Sequence, residues 1–191
     1  MNRSNFTKRL PFFVLLSAAL LVAGCSGMPG SPGYISKSTS EFDGAQTMRM
    51  EPAWVDQGPV KLALGWHSRM PDGKLFLVAS VEGAHTFAGG ESLRFRIGDQ
   101  FVGFQALDDG GGDIELSEGV SYPGGYLPAQ NWTSNTYLVD RSFVERLVDA
   151  EESYVRVRLR DGLAEGEFST GMPTQARPAF RDFLAEMEAM E

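Results

Sequence analysis

The sequence predicts a mainly β fold, a β-sandwich or a curved antiparallel sheet, with one short inserted helix and a C-terminal helix. Three observations carry this. From about Thr47 apolar residues recur at every second position, the period of a strand with one buried face. The alternating segments, about seven to nine, are separated by short turns rich in glycine, proline and aspartate. Only two stretches show helical spacing. Sandwich and open barrel fit this pattern equally.

The elements follow in order. Met48, Met50 and Trp54 alternate with Arg49, Glu51 and Ala53, and Pro52 interrupts the run, as at an edge or a bulge. Val60, Leu62, Leu64 and Trp66 share one face of the next strand, opposite Lys61, Ala63, Gly65 and His67. Pro71-Asp72-Gly73 is a turn in which proline pre-sets φ and glycine accepts a positive one. Lys74 to Val81 is apolar on nearly both faces and reads as a central strand.

Two hairpins can be registered. A two-residue turn at Gly98-Asp99 pairs Phe95 with Val102 and Leu93 with Phe104, leaving Arg94 and Arg96 on the other face. A turn at Asp161-Gly162 pairs Val155 with Phe168, Val157 with Gly166 and Leu159 with Ala164. It sets Arg156 against Glu167 and Arg158 against Glu165. After a strand over 133–139, Asp140 and Ser142 offer N-caps, and Ser142 with Glu145 fits a capping box. Phe143, Val144, Leu147 and Val148 form the apolar face of that helix. In the C-terminal helix Pro178 suits the first turn, and Phe180, Phe183, Leu184 and Met187 repeat at helical spacing. Glu186, Glu188 and Glu191 crowd its end against the dipole, so fraying is expected there.

Ahead of this domain, residues 47–191, the composition changes. Residues 26–46 are rich in serine, glycine and proline and read as a flexible tether, with Tyr34, Ile35 or Phe42 able to shorten it by docking on the domain. The first residues carry Arg3, Lys8 and Arg9 and no acid, followed by 14 largely apolar residues, Leu10 to Ala23. A spanning helix needs about 20, so residues 1–24 read as a secretory signal peptide. Leu21-Val22-Ala23-Gly24-Cys25 resembles the lipobox of bacterial lipoproteins. That resemblance implies a diacylglyceryl group on the Cys25 thiol, cleavage after Gly24, and a membrane reached through a lipid anchor. Ser26 stands where an aspartate often marks inner-membrane retention in Gram-negative lipoproteins. The resemblance therefore implies the outer membrane for a Gram-negative source.

Removing residues 1–24 takes away three basic residues and no acidic ones, leaving 14 basic against 25 acidic, a net of −11. So acidic a chain is a poor partner for nucleic acid, which is recognised by clustered Lys and Arg. With Cys25 taken by lipid no cysteine remains for a disulfide, and the fold must stand on its apolar core.

Catalytic patterns are absent from the sequence. His67 and His85 have no metal-ligand spacing. The loop Asp108-Asp109-Gly110-Gly111-Gly112-Asp113 is acidic, but it does not meet the EF-hand pattern for calcium. There is no G-x-S-x-G elbow and no phosphate-binding glycine loop. Arg156, Arg158 and Arg160 read as cross-strand partners of glutamates. Arg94 and Arg96 lack such obvious partners and are candidates for a partner surface. Tyr122, Tyr126 and Trp132, set among prolines and glycines, are aromatic candidates for binding. The expectation is a non-enzymatic envelope lipoprotein whose domain binds a protein or peptide, with no cofactor beyond the covalent lipid. A small-ligand pocket between sheets and a hydrolase with two convergent carboxylates are the alternatives.

Overall fold

The structure is a computed structural model describing residues 29–56, 58–108, 112–116, 120–122, 125–127, 131–168 and 176–190, with the backbone alone at 115–116, 120–122 and 125–127. Residues 1–24, read from sequence as a signal peptide, and Cys25 lie outside these residues.

In chain order the strands are β1 (Ile35–Thr39), β2 (Gln46–Met50), β3 (Ala53–Trp54), β4 (Val60–His67), β5 (Lys74–Glu82), β6 (Glu91–Ile97) and β7 (Gln100–Gln105). There follow β8 (Asp113–Leu116), β9 (Val120–Tyr122), β10 (Gly125–Leu127), β11 (Asn131–Asp140), β12 (Ser153–Arg158) and β13 (Leu163–Glu167). The helices are α1 (Arg141–Asp149) and α2 (Ala176–Glu188). A curled, half-barrel sheet runs β1-β2-β4-β5-β11-β8, with β3 also on β4. A smaller sheet runs β13-β12-β6-β7, and β9 and β10 pair as a hairpin. Every pairing is antiparallel.

The chain passes from the small sheet to the large one just after β7. Past the end of β7, Ala106 bridges Tyr137, and the Leu107 N–H donates to the Thr136 carbonyl at 2.8 Å. The inner faces then enclose one core, into which α2 inserts Phe180 and Phe183, both fully buried, together with Leu184 and Met187. Burying each such ring contributes about 1.5–3 kcal/mol. Phe143 of α1 packs edge-on against Phe95 and Phe104, with ring centroids 5.2 and 4.7 Å away. The apolar β5 lies between β4 and β11, the central place its sequence implies.

Two buried polar devices fix the core. The Tyr137 hydroxyl and Ser92 Oγ lie 2.8 Å apart, and burial pushes the Tyr137 phenol up to about 12. Arg177 is 3 % exposed; its Nη2 donates to Ser153 Oγ, which donates to the Phe168 carbonyl, both at 2.9 Å. Burial pushes the Arg177 pKa down, and nearby Arg181 adds to that shift.

The β6–β7 hairpin has the register read from sequence, with Gly98 at φ +56°. Several other expectations are corrected. Part of the residue stretch read as a tether is structured: Ile35–Thr39 pairs along Met50–Gln46, and Phe42 at the hairpin tip is 98 % exposed, so it docks on nothing described. The interruption at Glu51-Pro52 reverses the strand phase, burying Ala53 and Val55 and leaving Trp54 half-buried. The β12–β13 register is shifted by two residues: Val155 faces Gly166, Arg156 faces Glu165 and Val157 faces Ala164. The cause lies across β12, where Arg158 and Arg160 bond Ala88 and Thr86 and hold Leu159 to Gly162 in a four-residue loop. No capping box forms: Asp140 is the N-cap without a side-chain bond. Its carboxylate takes Lys74 at 2.7 Å, and Glu145 takes Arg141 at 2.9 Å. The acidic end of α2 finds cations, Lys37 on Glu186 at 2.5 Å and Arg141 on Glu188 at 3.1 Å.

Candidate functional site

The outer face of the small sheet is built by parity. Since Leu93, Phe95, Val155 and Val157 turn inward, Arg94, Arg96, Tyr154 and Arg156 must turn outward. The registers order them into rows. Phe101, Arg96, Tyr154 and Glu167 follow one another across β7, β6, β12 and β13; Gly103, Arg94, Arg156 and Glu165 form the next row. All of these but Gly103 line a groove of ≈ 540 Å³.

Each cation in the groove is held differently. The Arg156 Nε donates to Glu165 Oε1. Arg94 Nη2 donates to Glu91 Oε2 at 3.0 Å, so it has the carboxylate that its sequence neighbourhood hid on the near side of a strand irregularity. Arg96 has no carboxylate within ion-pair distance among the described residues. Its guanidinium stands 4.3 Å from the Tyr154 ring centroid, which orients the plane and leaves its N–H groups to solvent. Beside it Phe101 is 74 % exposed. A planar cation on an aromatic ring, next to an exposed ring, can take a carboxylate or phosphate through two N–H groups while apolar surface packs alongside.

Arg94 and Arg96, singled out from sequence, therefore meet in one site. Phe101 was missed although the β6–β7 register places it opposite Arg96, and Tyr154 was missed because only the β6–β12 pairing brings it there. The aromatic trio does not assemble in the same way. Trp132 opens β11, is 7 % exposed, and stands edge-on to Trp54 at 5.2 Å, with Lys61 Nζ 3.8 Å from its ring centroid. It therefore packs with Trp54 and Lys61. Tyr122 and Tyr126 belong to the β9–β10 hairpin, Tyr122 opposite Gly125 and Tyr126 opposite Ser121, and their side chains lie outside the described residues.

A second groove, of ≈ 490 Å³, lies on the large sheet over the row Arg49, Gly65, Phe76 and Leu138. It lacks an arrangement like Arg96 on Tyr154. The histidines do structural work: His67 Nδ1 accepts from the Arg69 N–H at 3.1 Å, and His85 bridges the Glu82 carbonyl and Asp161 at 2.9 and 3.2 Å. Among the described residues no group of three or more His, Cys, Asp or Glu is placed to hold a metal ion. Residues 109–111 of the acidic loop lie outside that description. No helix among the described residues is long and apolar enough to cross a membrane. Comparison with protein-family models, with curated proteins and with solved structures gave no match to this chain.

Proposed function

We propose that this chain is a lipid-anchored protein of the bacterial cell envelope, held through Cys25, whose β-rich domain binds a protein or peptide partner and does no chemistry of its own. The lipobox resemblance supports the anchor, and Ser26 supports the outer membrane of a Gram-negative cell. The observation that carries the binding role is Arg96 stacked on Tyr154 beside exposed Phe101. The net charge of −11 after cleavage supports a partner other than nucleic acid.

In-cell crosslinking with mass spectrometry tests this reading, comparing wild type with Cys25→Ser and Arg96→Ala. One envelope protein should crosslink to wild type, fall with Arg96→Ala, and disappear from the membrane fraction with Cys25→Ser. Palmitate labelling should likewise need Cys25. Identical background neighbours in all three forms would remove the binding role, and unlabelled wild type would remove the anchor.

A further inference from the structure

Beside the arginine groove, the outer edge of the small sheet is unpaired along Phe101–Gly103 among the described residues, and β11 takes it over from Ala106. In the two-residue β6–β7 hairpin Ile97 and Gln100 exchange both backbone bonds, and so, alternately, do Phe95 with Val102 and Leu93 with Phe104. At Phe101 and Gly103 the N–H and C=O groups therefore face away from β6. β7 is the last strand in its sheet, and neither residue has a backbone bond on that side among the described residues. Natural edges are blunted by charges, proline or a covering element. Gln100-Phe-Val-Gly-Phe-Gln105 carries no charge and no proline.

Two other strand edges are guarded. β1 holds Lys37, pinned to Glu186 of α2. The outer edge of β13 is closed by the turn after β3: a Cβ on Gly58 would stand 3.0 Å from the Glu165 carbonyl oxygen, and one on Gly166 would stand 2.9 Å from Val55 Cγ1.

A slot beside β7 indicates what fits there. Gly103 has no side chain between the open edge and Arg94, its cross-strand neighbour. The space is filled by Glu91: a Cβ on Gly103 would stand 2.5 Å from its Oε2, the oxygen that takes Arg94. Glu91 is thus a carboxylate from this chain in a place reachable from the edge.

We propose that β7 accepts an extended strand from a protein partner. An acidic side chain of that strand enters over Gly103 to replace Glu91 on Arg94, and an apolar one, two positions away, packs on Phe101. Backbone bonds to Phe101 and Gly103 give the affinity, and the Arg94 slot and Phe101 give the specificity. β7 itself has no acidic residue, so a second copy pairing β7 with β7 does not supply the carboxylate. The inference rests on the partner-binding reading above and specifies its chemistry.

The test uses the full chain in cells, with a photo-crosslinking phenylalanine analogue in place of Phe101, and at Ser36 on β1 as reference. The expected result is one adduct from position 101, mapped to a partner segment with an acidic residue two positions from the attachment point. Gly103→Pro removes an outward N–H, also puts a Cβ where the Glu91 carboxylate stands, and should lower the yield about tenfold. Arg94→Ala should lower it about fivefold without moving the melting temperature. The adducted segment, synthesised with and without backbone N-methylation opposite Phe101, covers the case in which Gly103→Pro fails to fold. Equal binding of the two peptides, an adduct segment without a carboxylate, or a yield indifferent to Gly103→Pro would each overturn strand addition. Capture of a partner from Ser36 alone would do the same while leaving the partner-binding reading standing. No adduct from either position would overturn both.

Discussion

Along β6 and β12, Leu93, Phe95, Val155 and Val157 turn inward and are at most 1 % exposed, while Arg94, Arg96, Tyr154 and Arg156 turn outward from the same strands. The inward set is accounted for by burial alone. In the outward set, Arg156 with Glu165 is ordinary cross-strand pairing, but Arg96 on Tyr154 beside Phe101 offers donors and apolar area that the fold leaves unused. One pleat separates residues that hold the domain together from residues available to something else. Substitutions on the two faces should therefore part company in what they damage.

The largest effect is expected inside. Phe95→Ala removes a ring packed on Phe104 and Phe143 and should lower unfolding free energy by about 3–5 kcal/mol in urea titration. A loss below about 1 kcal/mol would mean the inner face is not the core.

Next comes Tyr137 at the corner between the sheets. Its phenol is pushed up to about 12 from 10.0, so the folded state holds the proton more tightly than the unfolded chain. This stability is complete below pH 10 and is lost as pH rises toward 12. Tyr137→Phe should flatten that decline and lower stability near neutrality by about 0.5–1.5 kcal/mol, because Ser92 loses its buried partner. An unchanged alkaline slope in the variant would assign the decline to other groups.

On the outer face, Glu165→Gln should lower stability by about 0.2–1 kcal/mol, and added salt should shrink the difference. Smallest of all is Arg96→Ala, with stability expected within about 0.5 kcal/mol of wild type while partner capture falls. A large stability loss there would erase the contrast between the faces and make Arg96 a folding residue.

How much of this was legible follows the same division. The β6–β7 register was readable because Gly98-Asp99 fixes the turn and Leu93, Phe95, Val102 and Phe104 agree on one face. The α2 stripe was readable because Phe180, Phe183, Leu184 and Met187 answer to one period. The β12–β13 register slipped by two residues, since such a slip keeps every side chain on its face and local pattern cannot detect it. The deciding contacts are those of Arg158 and Arg160 with Ala88 and Thr86, 70 and 74 residues away. Trp54 was misplaced because the break at Glu51-Pro52 reverses the phase without announcing by how much. At the candidate site Arg94 and Arg96 were visible as charges on a strand. The ring beneath Arg96 was not, because Tyr154 is 58 positions away and becomes its neighbour only when β6 and β12 pair.

The pairing of Ile35–Thr39 with β2 has a further consequence if Cys25 carries lipid. The first strand among the described residues then starts ten residues from the anchor, and at about 3.3–3.6 Å per residue that leash cannot exceed roughly 36 Å whatever its path. A leash reaching to Gln46 would be about twice as long and would let the domain sample several times the volume. Confinement to a thin layer above the bilayer raises the effective concentration of the domain for anything in that layer. A strand contact too weak to persist between freely diffusing molecules would then suffice between neighbours on one membrane.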